Sequence, residues 1–143
     1  MGACKINQVT LPDRKNVAPM QEVLQRFHGT RYITTLDLSS AFLQVPLAEA
    51  SSKYTAFEFQ SKLYQYKRIP CGFRNCLAGF MRALRTVLGD GTCGYVINYV
   101  DDILIFSRDF DQHMDHPDTV LNKLTSAGFT IHARKCSFCK PEI

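Results

Sequence analysis

Tryptophan is absent from this chain of 143 residues. So is any apolar run approaching the 18 or more residues that a membrane-spanning helix requires. The opening MGACKINQVT has no apolar stretch of the kind that forms the core of a secretory leader. These absences argue against a membrane partner and lead to the expectation of a soluble intracellular protein. Cysteine is too sparse for a disulfide scaffold: the six stand at 4, 71, 76, 93, 136 and 139, so free thiols are expected. Charge of either sign is modest. The 17 lysines and arginines against 13 acids leave a net +4, spread along the chain rather than gathered in a tail. That is compatible with a polyanionic partner without requiring one. There are no repeats, no low-complexity tract and no obvious linker, and at 45% hydrophobic residues the chain can bury a core as one unit.

What is present is an alternation of helical and extended patterns. After a start punctuated by Pro12 and Pro19, MQEVLQRF places Met20, Val23, Leu24 and Phe27 on one helical stripe closed by Gly29. RYITTLDLS is rich in β-branched residues and reads as a strand. SAFLQV allows a turn or two of helix before Pro46. YTAFEF and KLYQYKRI, parted by Gln60-Ser61, read as a hairpin. Leu77, Phe80, Met81, Leu84 and Leu88 recur at helical spacing behind a possible cap at Asn75, with Gly89 beyond; Arg82 and Arg85 fall on the solvated face. YVINYV and ILIF form a second expected hairpin. A helix beginning near Asp115 to Pro117 is expected to run to Ala127, with Val120, Leu121 and Leu124 inward and Gly128 as its stop. FTIHA is expected as a last strand. The interleaving favours an α+β fold with an antiparallel sheet covered by helices over a doubly wound parallel one.

Two features carry chemistry. The first is Asp101-Asp102, set between apolar strands where hairpin turns prefer Asn-Gly, Asp-Gly or Gly-X. Adjacent acids in a partly dry setting repel, and a divalent cation removes the conflict. Asp37 ends a strand whose Leu36 and Leu38 point to the opposite face. If that strand lies beside the hairpin, three carboxylates meet at one edge. All-oxygen ligands suit Mg²⁺ rather than zinc, and paired ions about 3.5–4 Å apart serve polymerases and nucleases. The alternative is that all three are solvated surface acids. The second feature is HARKCSFC, in which His132, Cys136 and Cys139 are residues of zinc-ligand type without a fourth partner. A zinc-stabilised interaction domain is the reading that it leaves open. Cys71 and Cys76 flank GFRN and read as packing residues, with no His and Asp/Asn arrangement in sequence to make either a nucleophile.

Taken in order, LDLSSAFLQVPL, KYTAFEF, YQYKRIPCGFRN, YVDDILIFS and LNKLTSAGFTIHARKCSFC resemble the reverse transcriptase of gypsy-type LTR retrotransposons, relatives of the retroviral enzymes. The resemblance runs from KINQVT at residue 5 to KPEI at the end. It implies a partial right-hand polymerase of fingers and palm, with an antiparallel palm sheet and helices packed on one face. Thumb, connection and RNase H parts are expected to lie outside the chain. The implied reaction is RNA-directed DNA synthesis, the attack of a primer 3′-hydroxyl on a deoxynucleotide, by Asp37, Asp101 and Asp102. The Leu38 carbonyl would help these carboxylates hold two Mg²⁺ ions, or Mn²⁺.

Further roles follow from the same resemblance. Ser39, Ser40, Ala41, Phe42, Cys71 and Lys135 match nucleotide-binding positions, with Phe42 under the incoming sugar and Lys135 near the pyrophosphate. Tyr99, Val100, Gly72 and Arg74 match positions that approach primer and template. In the family, Gln or Phe is usual at the place of Cys71 and Ser or Ala at that of Cys76; Pro117 replaces an apolar residue. An aspartate, an aromatic residue and an arginine are usual where Met1-Gly2-Ala3-Cys4 stands. Implied partners are an RNA or DNA template with its primer, a deoxynucleotide and the remainder of a retroelement polyprotein. The implied compartment is cytoplasmic, in a virus-like particle, or nuclear. Weak or no activity is expected of this piece alone. The alternative function is an inert, decayed fragment that retains weak nucleic-acid binding.

Overall fold

The computed structural model describes residues 3–13 and 20–141. Pro19 and the side chain of Met20, both invoked above, lie outside the described residues. The helices are α1 (Ala3–Val9), α2 (Met20–Arg26), α3 (Glu49–Ser52), α4 (Cys76–Leu88) and α5 (Phe110–Ser126). The strands are β1 (Tyr32–Asp37), β2 (Phe57–Phe59), β3 (Lys62–Tyr64), β4 (Val96–Tyr99), β5 (Asp102–Ser107) and β6 (Ser137–Lys140). The chain divides into two compact units, residues 1–15 with 40–80 and residues 16–39 with 81–143.

In the first unit β2 and β3 pair antiparallel, Phe57 opposite Tyr64 and Phe59 opposite Lys62. The turn falls at Gln60-Ser61, as the sequence break suggested, and both residues take positive φ (49° and 58°), as a two-residue hairpin of this twist demands. SAFLQV forms a 3-10 turn over Ala41–Gln44. Asn75 spends its side chain on the incoming segment, accepting the Asp13 N–H at 2.9 Å and donating to the Leu11 carbonyl at 2.9 Å, rather than on a cap for α4. Phe80 of α4 is fully buried, and its ring lies 5.0 Å from that of Phe42.

The second unit is built on a four-stranded sheet in the order β4-β5-β1-β6, antiparallel throughout. The register pairs Ile33 with Phe106, Thr35 with Leu104 and Asp37 with Asp102, so these residues share one face. On that face Ile33, Ile97 and Phe106 form an apolar cluster with Val23 and Phe27 of the α2 segment. Leu24, expected inward, is 61% exposed; a helix this short can present only a narrow stripe. The opposite face carries Leu36, Ile103 and Ile105, all fully buried, and α5 lies against it. From α5 the buried His113 reaches Thr34 Oγ1 at 2.8 Å and Ser107 Oγ at 3.0 Å.

Three further expectations in this unit are corrected. Helix α5 starts at Phe110, capped by the Asp109 side chain accepting the Gln112 N–H at 2.9 Å, and Pro117 lies inside it. The Asp109 cap and the buried His113 outweigh the local signal of Pro117. FTIHA makes only an isolated bridge, Leu38 to Ile131, because Gly128 at φ +82° ends α5 and a 3-10 turn over Ala133–Lys135 follows at once. The last strand is β6 instead. Finally, Tyr99 pairs with Asp102, which moves the β4-β5 turn to Val100-Asp101.

Candidate active site

Strand β1 ends at Asp37, and the hydrogen bonds of that residue fix which way it faces. Its N–H donates to Cys136 Sγ at 3.4 Å, and its carbonyl accepts the His132 N–H at 2.8 Å. Both main-chain groups therefore point away from β5. Across from it, Asp102 closes the hairpin with Tyr99 and directs its own main chain toward β4. Asp37 and Asp102 thus form a non-hydrogen-bonded pair, the kind in which opposite residues lie closest, with Cα atoms roughly 4.5 Å apart. Two carboxylates occupy the place where a sheet usually sets complementary side chains.

The electrostatics agree. The Asp102 carboxyl is pushed above the ordinary aspartate range, first by partial burial of its side chain, then by the charges of Asp37 and Asp101; the Lys135 ammonium pulls it back. Lys135, matched to the family by its place in ARKCSF, therefore lies where its charge is felt by Asp102. Ser39 donates its N–H to the Thr130 carbonyl at 3.1 Å, so the carbonyl of Leu38 points the other way, toward the hairpin that carries the two acids.

Asp101 lies in the turn beside Val100, whose φ is +55°. A β-branched residue in the left-handed region is strained by about 1–3 kcal/mol, and such strain concentrates where a loop must hold an unusual shape. Tyr99 is exposed at the end of β4. Of the residues predicted from sequence, Asp37, Leu38, Ser39, Tyr99, Val100, Asp101, Asp102 and Lys135 belong to the second unit. Ser40, Ala41, Phe42, Cys71, Gly72 and Arg74 belong to the first. There Phe42 packs on Phe80, Gly72 takes φ +95° with its carbonyl accepting from Asn7 at 2.9 Å, and the Arg74 guanidinium donates to the Thr10 carbonyl at 3.0 Å. Cys71 is exposed, and Ser40 takes φ +49° at the head of the 3-10 turn.

The donor set fits a hard divalent cation: carboxylate oxygens, a carbonyl and a repulsion that a cation would relieve. Among the described residues, no three His, Cys, Asp or Glu side chains form a group ready to hold a metal. This applies equally to His132, Cys136 and Cys139, and the Cys136 thiol is occupied by the backbone of Asp37. The sequence leaves HARKCSFC open to zinc as an alternative, and it does not show that the segment brackets Asp37. The missing signal was the 3-10 turn that folds it back onto β1.

The chain is similar to known proteins over nearly its whole length. Residues 3–143 match the family model described as reverse transcriptase (RNA-dependent DNA polymerase). The chain is 36% identical over 138 residues to the retrovirus-related Pol polyprotein from transposon 297 of Drosophila melanogaster, covering 96% of this chain and 13% of that protein. It is 37% identical over 141 residues to the Pol polyprotein from transposon gypsy of the same fly, covering 97% of this chain and again 13% of the relative. Among solved structures, a foamy viral protease-reverse transcriptase in complex with double-stranded DNA superposes with a TM-score of 0.86 at 25% identity, over 99% of this chain and 25% of that one. The chain therefore spans a small part of the proteins it resembles. An aspartate pair at the end of an antiparallel sheet, and sequence likeness along nearly the whole chain, lead to one conclusion: the chain belongs to the reverse transcriptase family.

Proposed function

We propose that this chain is the catalytic portion of a larger retroelement polyprotein, comprising part of the fingers and most of the palm, and that it serves RNA-directed DNA synthesis. The observation that carries the reading is the direct opposition of Asp37 and Asp102 in the sheet register. In this reading Asp37, Asp102 and Asp101, with the Leu38 carbonyl, hold two Mg²⁺ ions, which Mn²⁺ can replace. Bound there, the ions would lower the pKa of a primer 3′-hydroxyl and neutralise the triphosphate of a deoxynucleotide. The chain itself positions and screens. Lys135 offsets charge beside Asp102, Tyr99 and Val100 meet the primer end, and Gly72 and Arg74 meet the template. Ser39, Ser40, Ala41, Phe42 and Cys71 receive the nucleotide. Thumb, connection and RNase H functions come from the remainder of the polyprotein.

Titration of Mn²⁺ into the chain and into Asp102→Asn, followed calorimetrically, tests the metal site. Binding by the native chain that weakens at least tenfold in the variant is expected. Equal binding would favour an inert nucleic-acid-binding module. Primer extension on poly(rA)·oligo(dT) by the longer polyprotein, with Asp37→Asn as control, tests the reaction. Loss of incorporation in the control is expected, and incorporation undiminished by it would refute the assignment.

A further inference from the structure

The β1-β6 ladder stops short of Asp37, and what replaces it there is a side chain. Thr35 pairs with Ser137, so the next rung would set Asp37 against Lys135. Lys135 is instead held in the 3-10 turn Ala133–Lys135, its N–H donating to the His132 carbonyl at 2.8 Å. Without another acceptor the Asp37 N–H would be orphaned at the point where the sheet must hold its acid. Cys136 Sγ takes that N–H at 3.4 Å, and its own S–H donates to the His132 carbonyl at 3.5 Å. The same His132 donates its N–H to the Asp37 carbonyl at 2.8 Å. The bonds form a closed ring: Asp37 to thiol, thiol to His132, His132 back to Asp37. Both main-chain groups of Asp37 are thereby fixed, and neither remains to pair with β5.

We infer that Cys136 is a positioning residue for Asp37, its thiol serving at once as acceptor and donor to lock the peptide from which the carboxylate projects toward Asp102. The inference rests on the proposed role of Asp37 and adds to it a residue that acts through the Asp37 backbone. A thiol suits the place because it is half-buried and one sulfur supplies both an acceptor and a donor. Valine keeps the bulk and removes both functions. Serine keeps both but draws the acceptor back on a shorter bond.

Amide hydrogen exchange read residue by residue, together with Mn²⁺ titration, tests this on the full chain. In Cys136→Val, exchange at the Asp37 amide is expected to quicken roughly three- to tenfold, the loss of one hydrogen bond, while Leu36 and Ile105 amides stay within about twofold. Cys136→Ser should fall between valine and the native chain. Mn²⁺ affinity should follow the same order. An Asp37 amide unchanged in Cys136→Val overturns the inference, and so does an acceleration shared by Leu36 and Ile105, which would mark a general structural role. If Cys136→Val does not fold, serine alone decides by the same two amides. A native chain that binds no Mn²⁺ counts against the metal reading, and the amide rates then judge the clamp by themselves.

Discussion

Asp102 shows how one side chain can work against the fold that carries it. Its carboxyl lies above the usual range because burial and then Asp37 and Asp101 disfavour the charge. The folded state therefore holds the Asp102 proton to higher pH than the unfolded chain does. Stability falls as pH rises from the ordinary aspartate value, about 3.9, through the raised one. Asp102→Asn is accordingly expected to melt at a higher temperature than the native chain at pH 7, with the difference fading below about pH 4; melting scans across that range check it. A variant less stable at pH 7 would contradict the repulsion. Val100 adds strain in the neighbouring turn position. Both costs are typical of residues kept for a site rather than for stability.

Among the elements, α5 is decided by packing over propensity. A proline inside a helix removes one hydrogen bond and costs about 3 kcal/mol, yet the helix runs on both sides of Pro117. Buried Val120 and Leu124 and the hydrogen bonds of His113 to Thr34 and Ser107 hold it to the sheet. Ser107 Oγ also meets His116 Nδ1 at 2.8 Å, and the His116 ring stacks on Tyr95. Burial and then the neighbouring His116 hold the His113 imidazole below its ordinary value. The unfolded chain therefore takes up the proton first. The stabilisation is complete above about pH 6.5 and is lost as pH falls through that value toward the lowered one. Thermal stability should decline between pH 7 and 5, and His113→Asn should flatten that slope. An identical slope in the variant would show that another group titrates.

At the scale of the whole molecule, the cysteines are free thiols and the buried side chains are chiefly apolar. Removing zinc with a selective chelator is expected to leave the melting temperature unchanged; a fall of several degrees would restore a structural role for His132, Cys136 and Cys139. The sequence alone determined the family, the α+β class and the meeting of Asp37 with the acidic hairpin, because spacing, turn residues and motif order are written along the chain. It also placed the Gln60-Ser61 turn and helix α4, where local pattern and final structure agree. Tertiary structure decided the rest. The start of α5, the shift of the acidic turn to Val100-Asp101, the strand at Ser137–Lys140 and the thiol beneath Asp37 all depend on partners distant in sequence. No local pattern encodes them, since each is settled by which buried groups must find hydrogen bonds once the sheet has formed.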